Sequence, residues 1–516
     1  MPVVPVKNLG QGGLNKDTAP VNLTPNVFTD ARNVRFRNGS VETILGESTF
    51  INLDIPATAG IHWRRSDQGY TVVIKDGTCK RITSAGVVST MMSNDAPYAN
   101  SKWQVDTFGG GQAIFFNNGQ STPLFALYNH PSADAILQPF PGWNYTPGLT
   151  VTAKTIRSFN YSLIAANLTL NDGVTSTYAP TTIRISVQAA IGSFPSIWQP
   201  GLTTDTADEF ELNASTPIVD MAELRGAMYI YTSNSIHMLQ LLNGVASVRP
   251  YAKGYGMLNI NCVQEFDGKH IVVDQNDIYI HNGSGNIESA AQGVVRDFYL
   301  SDVNPNSTSS TFIAKDSRYK EIWICYCSTS NTTDSKCDRA LVFNYVDNTW
   351  TIRDLPHVTS MFTSPGLSGS SWIYGRERLL ATSGTNNLFL MDSTYQMYNT
   401  SAGQYSEFES WVERVKLFAD DPFSNQAISG LAPIIEVSES SSEINFFVHS
   451  QNTYDKEPDW SNSSGRDVFV LRPKDETQGY KVDPRSVGRF LNYRVISNSY
   501  WKMSFLGLDM TAANRR

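Results

Sequence analysis

The dipeptide Asn38-Gly39 constrains this chain more than any other short segment. A type I′ turn needs positive φ at both central residues, which Asn and Gly tolerate, and alternating apolar and polar residues flank the pair. A two-residue loop also sets the register of the flanking strands: Arg37 faces Ser40, Phe36 faces Val41, Arg35 faces Glu42 and Val34 faces Thr43. The sequence therefore predicts a β-hairpin within residues 33–44.

The two faces of this hairpin differ in polarity. Val34, Phe36 and Val41 form an apolar face, which we expect to be buried, while Arg35 and Glu42 lie opposite each other on the polar face. A solvated strand face with one Arg35–Glu42 pair is the simplest interpretation. The alternative is that Arg32, Arg35 and Arg37 contact another subunit.

The segment from Pro25 to Gly39 (PNVFTDARNVRFRNG), after a lead rich in Gly, Leu and Asn, resembles the N-terminal signature of tail nozzle proteins from short-tailed bacteriophages. These are also called tail tubular proteins. A second similarity lies in 487–491 (VGRFL) and 501–509, which resemble the closing strands of that family. In the middle of the chain the similarity to the family is limited to a β-rich repeat pattern.

The resemblance implies a structural protein of the virion tail, made in the host cytoplasm. Six copies would form a ring around the DNA exit channel, retain packaged DNA, and let double-stranded DNA pass during ejection. The ring would dock to the head-to-tail adaptor, and its sides offer attachment to tail fibres. The interface candidates are Asp30, Arg32, Arg35, Phe36, Arg37, Glu42, Gly488 and Arg489.

Composition agrees with a large β-rich protein. The 516 residues exceed the size at which a single hydrophobic core stops growing, and 41% apolar with 17% charged residues suits strands and turns better than long helices. The net charge of −8 gives no overall basic footprint for gripping nucleic acid. A conduit through which DNA slides needs few phosphate contacts, so we expect its lumen to be acidic or neutral.

The remaining composition signals concern compartment. The five cysteines are odd in number and lack zinc-type spacing, which favours buried free thiols in a reducing cytoplasm. The N-terminus lacks the pattern of a secretory signal, and no run of 18 apolar residues occurs, so no membrane span is expected.

From about residue 60 to 395 the chain repeats a unit of two short apolar strands around an Asn, Asp or Gly turn. The units lie at 70–82, 112–127, 160–168, 226–241, 269–283, 320–345 and 378–392. Such spacing is typical of four-stranded propeller blades. We predict an all-β fold with a β-propeller of about six blades; a pair of β-sandwiches is the alternative.

The predicted domains are an N-terminal arm and hairpin (1–50), the propeller-like repeats (51–400) and a C-terminal β-rich, β-sandwich-like domain (401–516). A propeller commonly closes its ring by pairing an early strand with a late one. The hairpin at 33–44 either supplies that strand or packs on the C-terminal domain, and sequence alone does not decide between the two.

Signals for catalysis are weak. The seven histidines show no metal-type spacing, and we interpret His237, His270 and His281 as structural. No nucleotide-binding or serine-hydrolase motif is present, so no enzyme activity, metal or cofactor is expected.

Paired carboxylates of a glycan-cleaving propeller need separate consideration. The segment 205–211 (DTADEFE) supplies Asp205, Asp208 and Glu209, which we interpret as part of a solvated loop or of a lumen-facing patch. Asp274 and Asp277 straddle a turn. The alternative function is therefore a glycan-binding receptor protein or a glycan-cleaving depolymerase of a phage tail.

Overall fold

A computed structural model describes residues 3–65, 68–93, 98–99, 101–128, 137–201, 207–242, 245–365, 377–418, 424–460, 468–474 and 480–515. The elements before the first repeat are short. They are β1 (Val3–Val6), α1 (Leu9–Gly12), β2 (Asp30–Arg32), β3 (Val34–Arg37), β4 (Ser40–Thr43) and β5 (Gly46–Asn52).

Five antiparallel four-stranded sheets follow in chain order. The first two contain β6 (Ala59–Arg65), β7 (Gln68–Lys75), β8 (Thr78–Ile82) and β9 (Val88–Ser93), then β10 (Gln104–Phe108), β11 (Ala113–Asn117), β12 (Leu124–Leu127) and β13 (Gln138–Pro139). The next two contain β14 (Thr150–Phe159), β15 (Ser162–Asn171), β16 (Ser176–Ile185) and β17 (Asp208–Glu211), then β18 (Ile218–Leu224), β19 (Ala227–Thr232), β20 (Ser235–Leu242) and β21 (Val245–Lys253). The fifth contains β22 (Val263–Phe266), β23 (Lys269–Val273), β24 (Ile278–His281) and β25 (Ile287–Ser289).

Helix α2 (Arg296–Asp302) leads to the last two units. The sixth contains β26 (Phe312–Asp316), β27 (Glu321–Tyr326), β28 (Cys337–Asn344) and β29 (Thr349–Val358), and the seventh begins with β30 (Ser360–Pro365), β31 (Glu377–Thr382) and β32 (Asn387–Thr394). The chain ends with β33 (Gln396–Asn399), β34 (Gln404–Glu407), β35 (Ser410–Leu417), β36 (Ser424–Val437), β37 (Ile444–Gln451), β38 (Val468–Leu471), β39 (Ser486–Gly488), β40 (Phe490–Ser497) and β41 (Trp501–Arg515).

The repeat units form a closed ring. The first strand of each unit contacts the first strand of the next, in the order β6, β10, β14, β18, β22, β26 and β30, and β30 contacts β6. The first strands are therefore innermost, as in a β-propeller. The fold class is confirmed; within the described residues the ring has seven blades, one more than the central value of six.

Each of the seven repeat segments found in the sequence falls on the middle of a different blade. The segment 70–82 covers β7 and β8, for example, and 378–392 covers β31 and β32. These middle strands are buried on both faces, as β11 and β19 are over their whole length, so their apolar runs are long. The inner and outer strands carry more polar residues and were harder to identify.

The seventh blade takes its fourth strand from the N-terminal part of the chain. Strand β5 pairs antiparallel with β32, with Leu388 opposite Ile51 and Phe389 opposite Thr49. The hairpin β3–β4 does not close the ring; it belongs to a six-stranded sheet with β41, β36, β39 and β1. The open choice about the hairpin is thus resolved in favour of packing with the C-terminal strands.

The C-terminal strands build two packed layers. One layer is the six-stranded sheet, and the other consists of β35, β40, β37 and β38. Buried residues from both layers, such as Val412 and Phe446 on one and Leu431 and Leu506 on the other, belong to one apolar cluster. This arrangement is sandwich-like.

The apolar core is divided among the blades. Separate clusters fill the spaces between blades 1 and 2, 2 and 3, 3 and 4, 6 and 7, and 7 and 1. A larger cluster runs from blades 4, 5 and 6 into the C-terminal layers. All five cysteines are free and buried, as expected. Among the described residues no helix is long and apolar enough to cross a membrane.

Candidate functional site: the hairpin junction

The signature segment lies where the propeller meets the C-terminal layers. Strand β2 pairs parallel with β29 of blade 6 through Arg32 and Ile352, and antiparallel with β35 through Ala31 and Val412. Strand β2, only three residues long, therefore lies between blade 6 and the C-terminal strands and joins them in one nine-stranded sheet. Backbone hydrogen bonds thus run without interruption from the ring into the second body.

Side-chain contacts also stabilise this connection through β2. The Arg32 guanidinium binds both carboxylate oxygens of Asp354, with Nε 2.9 Å from each. Asn33 adopts positive φ, 56°, and its amide donates to Asp354 Oδ2 at 3.0 Å and to the Glu409 carbonyl at 2.9 Å. A bidentate pair of this kind fixes orientation as well as distance.

The hairpin has the predicted register. Val34 pairs with Thr43, Arg35 with Glu42 and Phe36 with Val41, while Asn38 and Gly39 have φ of 50° and 75°. The apolar face is buried as expected: Phe36 is 1% exposed and stacks on Phe28 with ring centroids 5.6 Å apart.

The prediction for the polar face was wrong. Arg35 is 3% exposed rather than solvated, and its guanidinium binds Glu321 and Asp392, not Glu42. The physical reason is that this face of the hairpin packs on blades 6 and 7, which supply two buried carboxylates. Glu42 remains half-buried, and its register partner on β41 is Lys502.

The pKa values of this cluster follow from burial and proximity. Burial alone would lower the pKa of Arg35, but Glu321 and Asp392 raise it well above its usual value. Burial likewise favours a higher pKa for Asp392, yet Arg35 and Arg318 keep it below the usual range. At Glu321 the effect of burial is larger than the opposing effect of Arg35, so the pKa of Glu321 is raised.

The lead before the signature ties the junction to the rest of the ring. The Asp17 carboxylate accepts the backbone N–H groups of Asp297 and Phe298 at 3.0 and 3.1 Å, at the start of α2. Asn15 and Thr18 both donate to the Gly293 carbonyl, at 3.0 and 2.8 Å. The N-terminal segment therefore binds the blade 5–6 connection as well as the C-terminal strands.

The interface candidates are not all close together. Asp30 forms an ion pair with Lys16 at 3.1 Å, and the Arg37 guanidinium lies 5.4 Å from the centre of the Tyr319 ring, so both belong to the junction. Gly488 and Arg489 lie at β39, which forms one edge of the six-stranded sheet, whereas the hairpin forms the opposite edge. Contacts with other subunits stay a prediction for the half-exposed members of this group.

Two of the residues predicted to face the lumen of the subunit ring lie at the periphery of the propeller. Asp208 and Glu209 lie on β17, the fourth and outermost strand of blade 3, and not on an innermost strand. Glu209 pairs there with Arg184 at 2.6 Å. The predicted lumen belongs to a ring of several subunits, which the blade order of one subunit does not define, so the lumen-facing role of Asp208 and Glu209 stays a prediction. Asp205 lies outside the described residues.

A polar belt joins the innermost strands of blades 2, 3 and 4. Arg157 on β14 binds Asp220 of β18 at 2.6 Å and Asp106 of β10 at 3.4 Å. Asp220 is fully buried and also accepts the Asn261 N–H at 2.9 Å. These charges are paired with one another, so the belt is a structural tie between blades.

Histidines form a second tie, between blades 4 and 5. His270 Nε2 bonds the Glu223 carbonyl at 2.9 Å and must donate, so its Nδ1 accepts from the Tyr231 hydroxyl at 2.7 Å. The same hydroxyl then accepts from His281 Nε2 at 2.7 Å. Burial lowers the pKa of His270 to about 4 and that of His281 to about 3, so both rings are neutral near pH 7.

The carboxylates considered for glycan cleavage are engaged in local structure. Asp277 Oδ1 accepts from the backbone of Ile278 and from Ser289 Oγ, both at 2.8 Å. Burial raises the pKa of its neighbour Asp274, whose N–H donates to the Asp277 carbonyl at 2.8 Å and closes the turn. Within the described residues, no cluster of three or more His, Cys, Asp or Glu side chains has metal-binding geometry.

Sequence reasoning missed the propeller half of the junction. Its residues are Glu47, Glu321, Arg353, Asp354 and Asp392. They come from two sheets, and all but Glu47 lie hundreds of residues from the hairpin, so no local motif links them. A charged residue inside an apolar strand, as in EIWICY or LFLMD, is the one local signal of a buried partner.

No family model matches the chain, and no curated protein matches it. Among solved structures, the chain is similar to the crystal structure of Chaetomium thermophilum Raptor, with a TM-score of 0.40 and 9% sequence identity. The match covers 67% of this chain and 30% of that chain, so the protein described here spans less than a third of that structure.

Proposed function

We propose that this protein is the nozzle subunit of a short phage tail, a structural protein that assembles as a ring around the DNA exit channel. The observation that carries the proposal is the position of the signature segment. Residues 25–39, which resemble the nozzle family, include β2, the strand that joins the propeller and the C-terminal strands in one continuous sheet. A subunit that resists internal pressure needs such a rigid connection between its two bodies.

The charge of the chain supports the same role. A net charge of −8 gives the chain no excess of basic groups to hold phosphates. Passage of double-stranded DNA would then meet little salt-dependent drag. In this proposal six copies form the ring, the head-to-tail adaptor binds one face, and tail fibres attach at the sides.

Native mass spectrometry of the purified chain tests the assembly. We expect a closed oligomer, with six copies as its main species, at micromolar concentration. A chain that stays monomeric at every concentration, alone and with an adaptor protein added, would contradict the proposal.

A DNA-binding titration tests the conduit role separately. We expect weak binding of duplex DNA with a shallow dependence on salt, because few phosphates are neutralised. Tight binding with a steep salt dependence would contradict a sliding channel even if the ring forms.

A further inference from the structure

Strand β5 closes the propeller, and its second residue carries a fully buried carboxyl group. Glu47 is 0% exposed. Its Oε1 accepts the backbone N–H of Tyr398 on β33 at 2.6 Å, and its Oε2 lies 3.4 Å from Arg353 Nη2 on β29. Glu47 therefore lies where the closing strand meets blade 6 and the β33–β34 hairpin.

The buried ionisable groups at this junction are unequal in number. The ion pairs join three guanidinium groups, those of buried Arg35 and Arg353 and of half-buried Arg318, with four buried carboxyl groups, those of Glu47, Asp316, Glu321 and Asp392. An uncompensated charge in a buried site is expensive, so one of the four carboxyl groups is expected to carry a proton.

The contacts of the three guanidinium groups point to Glu47 as the group that carries it. Arg35 binds Glu321 and Asp392, and Arg318 binds Asp392 at 2.8 Å and Asp316 at 3.3 Å. The Arg353–Glu47 distance, 3.4 Å, is the longest of these pairs. Arg353 also directs its Nη1 to the Leu45 carbonyl rather than to the carboxyl group.

Other polar groups near Glu47 do not change this balance. The charge of Asp354 is compensated by Arg32, and the hydroxyl of Tyr405 on β34 forms a hydrogen bond with Thr49 Oγ1 at 2.6 Å. The Arg35 guanidinium lies over Tyr319, 3.5 Å from the centre of the tyrosine ring. Burial raises the pKa of Tyr405 and of Tyr319, so both phenols stay neutral near pH 7.

We propose that Glu47 is a proton-operated latch on the closing strand. With its proton, Glu47 holds β5 in blade 7; without it, the buried cluster carries an uncompensated negative charge and β5 detaches more often. Detachment would expose the edge of β32 and open the ring between blades 7 and 1. This inference concerns the propeller itself and does not depend on the nozzle proposal.

The direction of the pH response follows from the carboxyl group. Burial raises the pKa of Glu47 from 4.5 to about 7, against the opposing effect of Arg353. A raised pKa means that the stabilisation is complete below pH 4.5 and is lost as the pH rises through about 7. The equilibrium for opening should therefore increase by up to about two orders of magnitude on the alkaline side.

Hydrogen exchange of the full chain, followed by mass spectrometry between pH 5.5 and 8.5, tests the latch. After correction for the intrinsic exchange rate, we expect protection of the β5 amides to fall at least about tenfold across this range. In Glu47→Gln, which keeps a neutral side chain of the same shape, β5 protection should not depend on pH. Glu211→Gln is the matched control, because Glu211 is an exposed carboxylate on the outermost strand β17 of blade 3.

Two results would overturn the latch. One is β5 protection in the wild type that does not change with pH, which decides the question even if Glu47→Gln fails to fold. The other is the same pH dependence in Glu47→Gln as in the wild type, which would assign the response to another group.

Discussion

Blades 1 to 6 and blade 7 are all four-stranded, but they obtain their strands from different parts of the chain. Each of the first six takes its four strands from consecutive segments, whereas blade 7 takes three consecutive strands and borrows β5 from the N-terminal part of the chain. Local blades are held by short turns and apolar clusters between neighbours. Blade 7 depends in addition on the hairpin junction and its buried charges, because these hold the borrowed strand in place.

The ring is closed, and is connected to the C-terminal layers, at neighbouring strands of the N-terminal segment. A propeller built from consecutive blades alone would leave its first and last blades joined by side-chain packing. Here the closing strand adds a backbone ladder, and the strands next to it in sequence, β2 to β4, anchor the C-terminal layers. Closure and domain connection therefore share one short segment, and perturbing it should affect both.

The largest expected effect comes from Phe36→Asp. Phe36 is 1% exposed in the apolar cluster shared by the ring and the C-terminal layers, so a carboxylate there has no partner. We expect loss of the cooperative thermal transition and of any oligomer on size-exclusion chromatography. The matched change in a local blade, Tyr178→Asp on β16 with Tyr178 59% exposed, should leave both unchanged. A Phe36→Asp protein that melts and assembles like the wild type would contradict the junction.

Arg35→Met ranks second. The change leaves Glu321 and Asp392 buried without their shared guanidinium, and we expect it to lower the free energy of unfolding by about 3–5 kcal/mol in urea titrations. Arg37→Met on the same strand is the control and should cost less than about 1 kcal/mol, because Arg37 is half-exposed. Equal effects of the two changes would show that the buried cluster is not specific to Arg35.

Tyr231→Phe tests a local interface, between blades 4 and 5. Loss of the hydroxyl leaves His270 Nδ1 and His281 Nε2 without their partner, at a cost of about 2–3 kcal/mol in the same titrations. Tyr229→Phe, which removes one hydrogen bond to the Gly283 carbonyl, should cost about 1 kcal/mol. If the two changes lower the free energy of unfolding equally, the Tyr231 hydroxyl does not form hydrogen bonds with both histidines.

The smallest effect is a difference between two engineered disulfides. Ser48→Cys with Leu390→Cys would link β5 to β32, and Thr182→Cys with Glu211→Cys would link β16 to β17. The first bridge closes a loop more than ten times longer, so the chain-entropy model gives it about 2 kcal/mol more stabilisation. Equal gains, measured as unfolding free energies of the oxidised proteins, would indicate that closure by β5 restricts the unfolded chain no more than a local hairpin does.

Much of the fold was predictable because its signals are local. The Asn38-Gly39 turn sets the hairpin register, and alternation identifies Val34, Phe36 and Val41 as core residues. The seven repeat segments correspond to the middle strands of the seven blades. Turn chemistry and side-chain period act within ten or so residues, which a single sequence displays directly.

The rest depends on partners that are distant in sequence. Nothing within residues 46–52 states that they pair with β32, and nothing near Arg35 announces Glu321 or Asp392. The arginine therefore looked solvated, and nothing in the acidic run that contains Asp208 and Glu209 indicated that they lie on the outermost strand of blade 3. Acidic and basic side chains on strands have the same appearance in sequence whether they face water or a buried counter-charge.

Electron microscopy of the purified chain tests the nozzle proposal most directly. We expect class averages of closed rings with an axial channel wide enough for duplex DNA, and propeller densities arranged around it. Single propellers without a ring, under conditions in which the chain is folded and concentrated, would contradict the proposal.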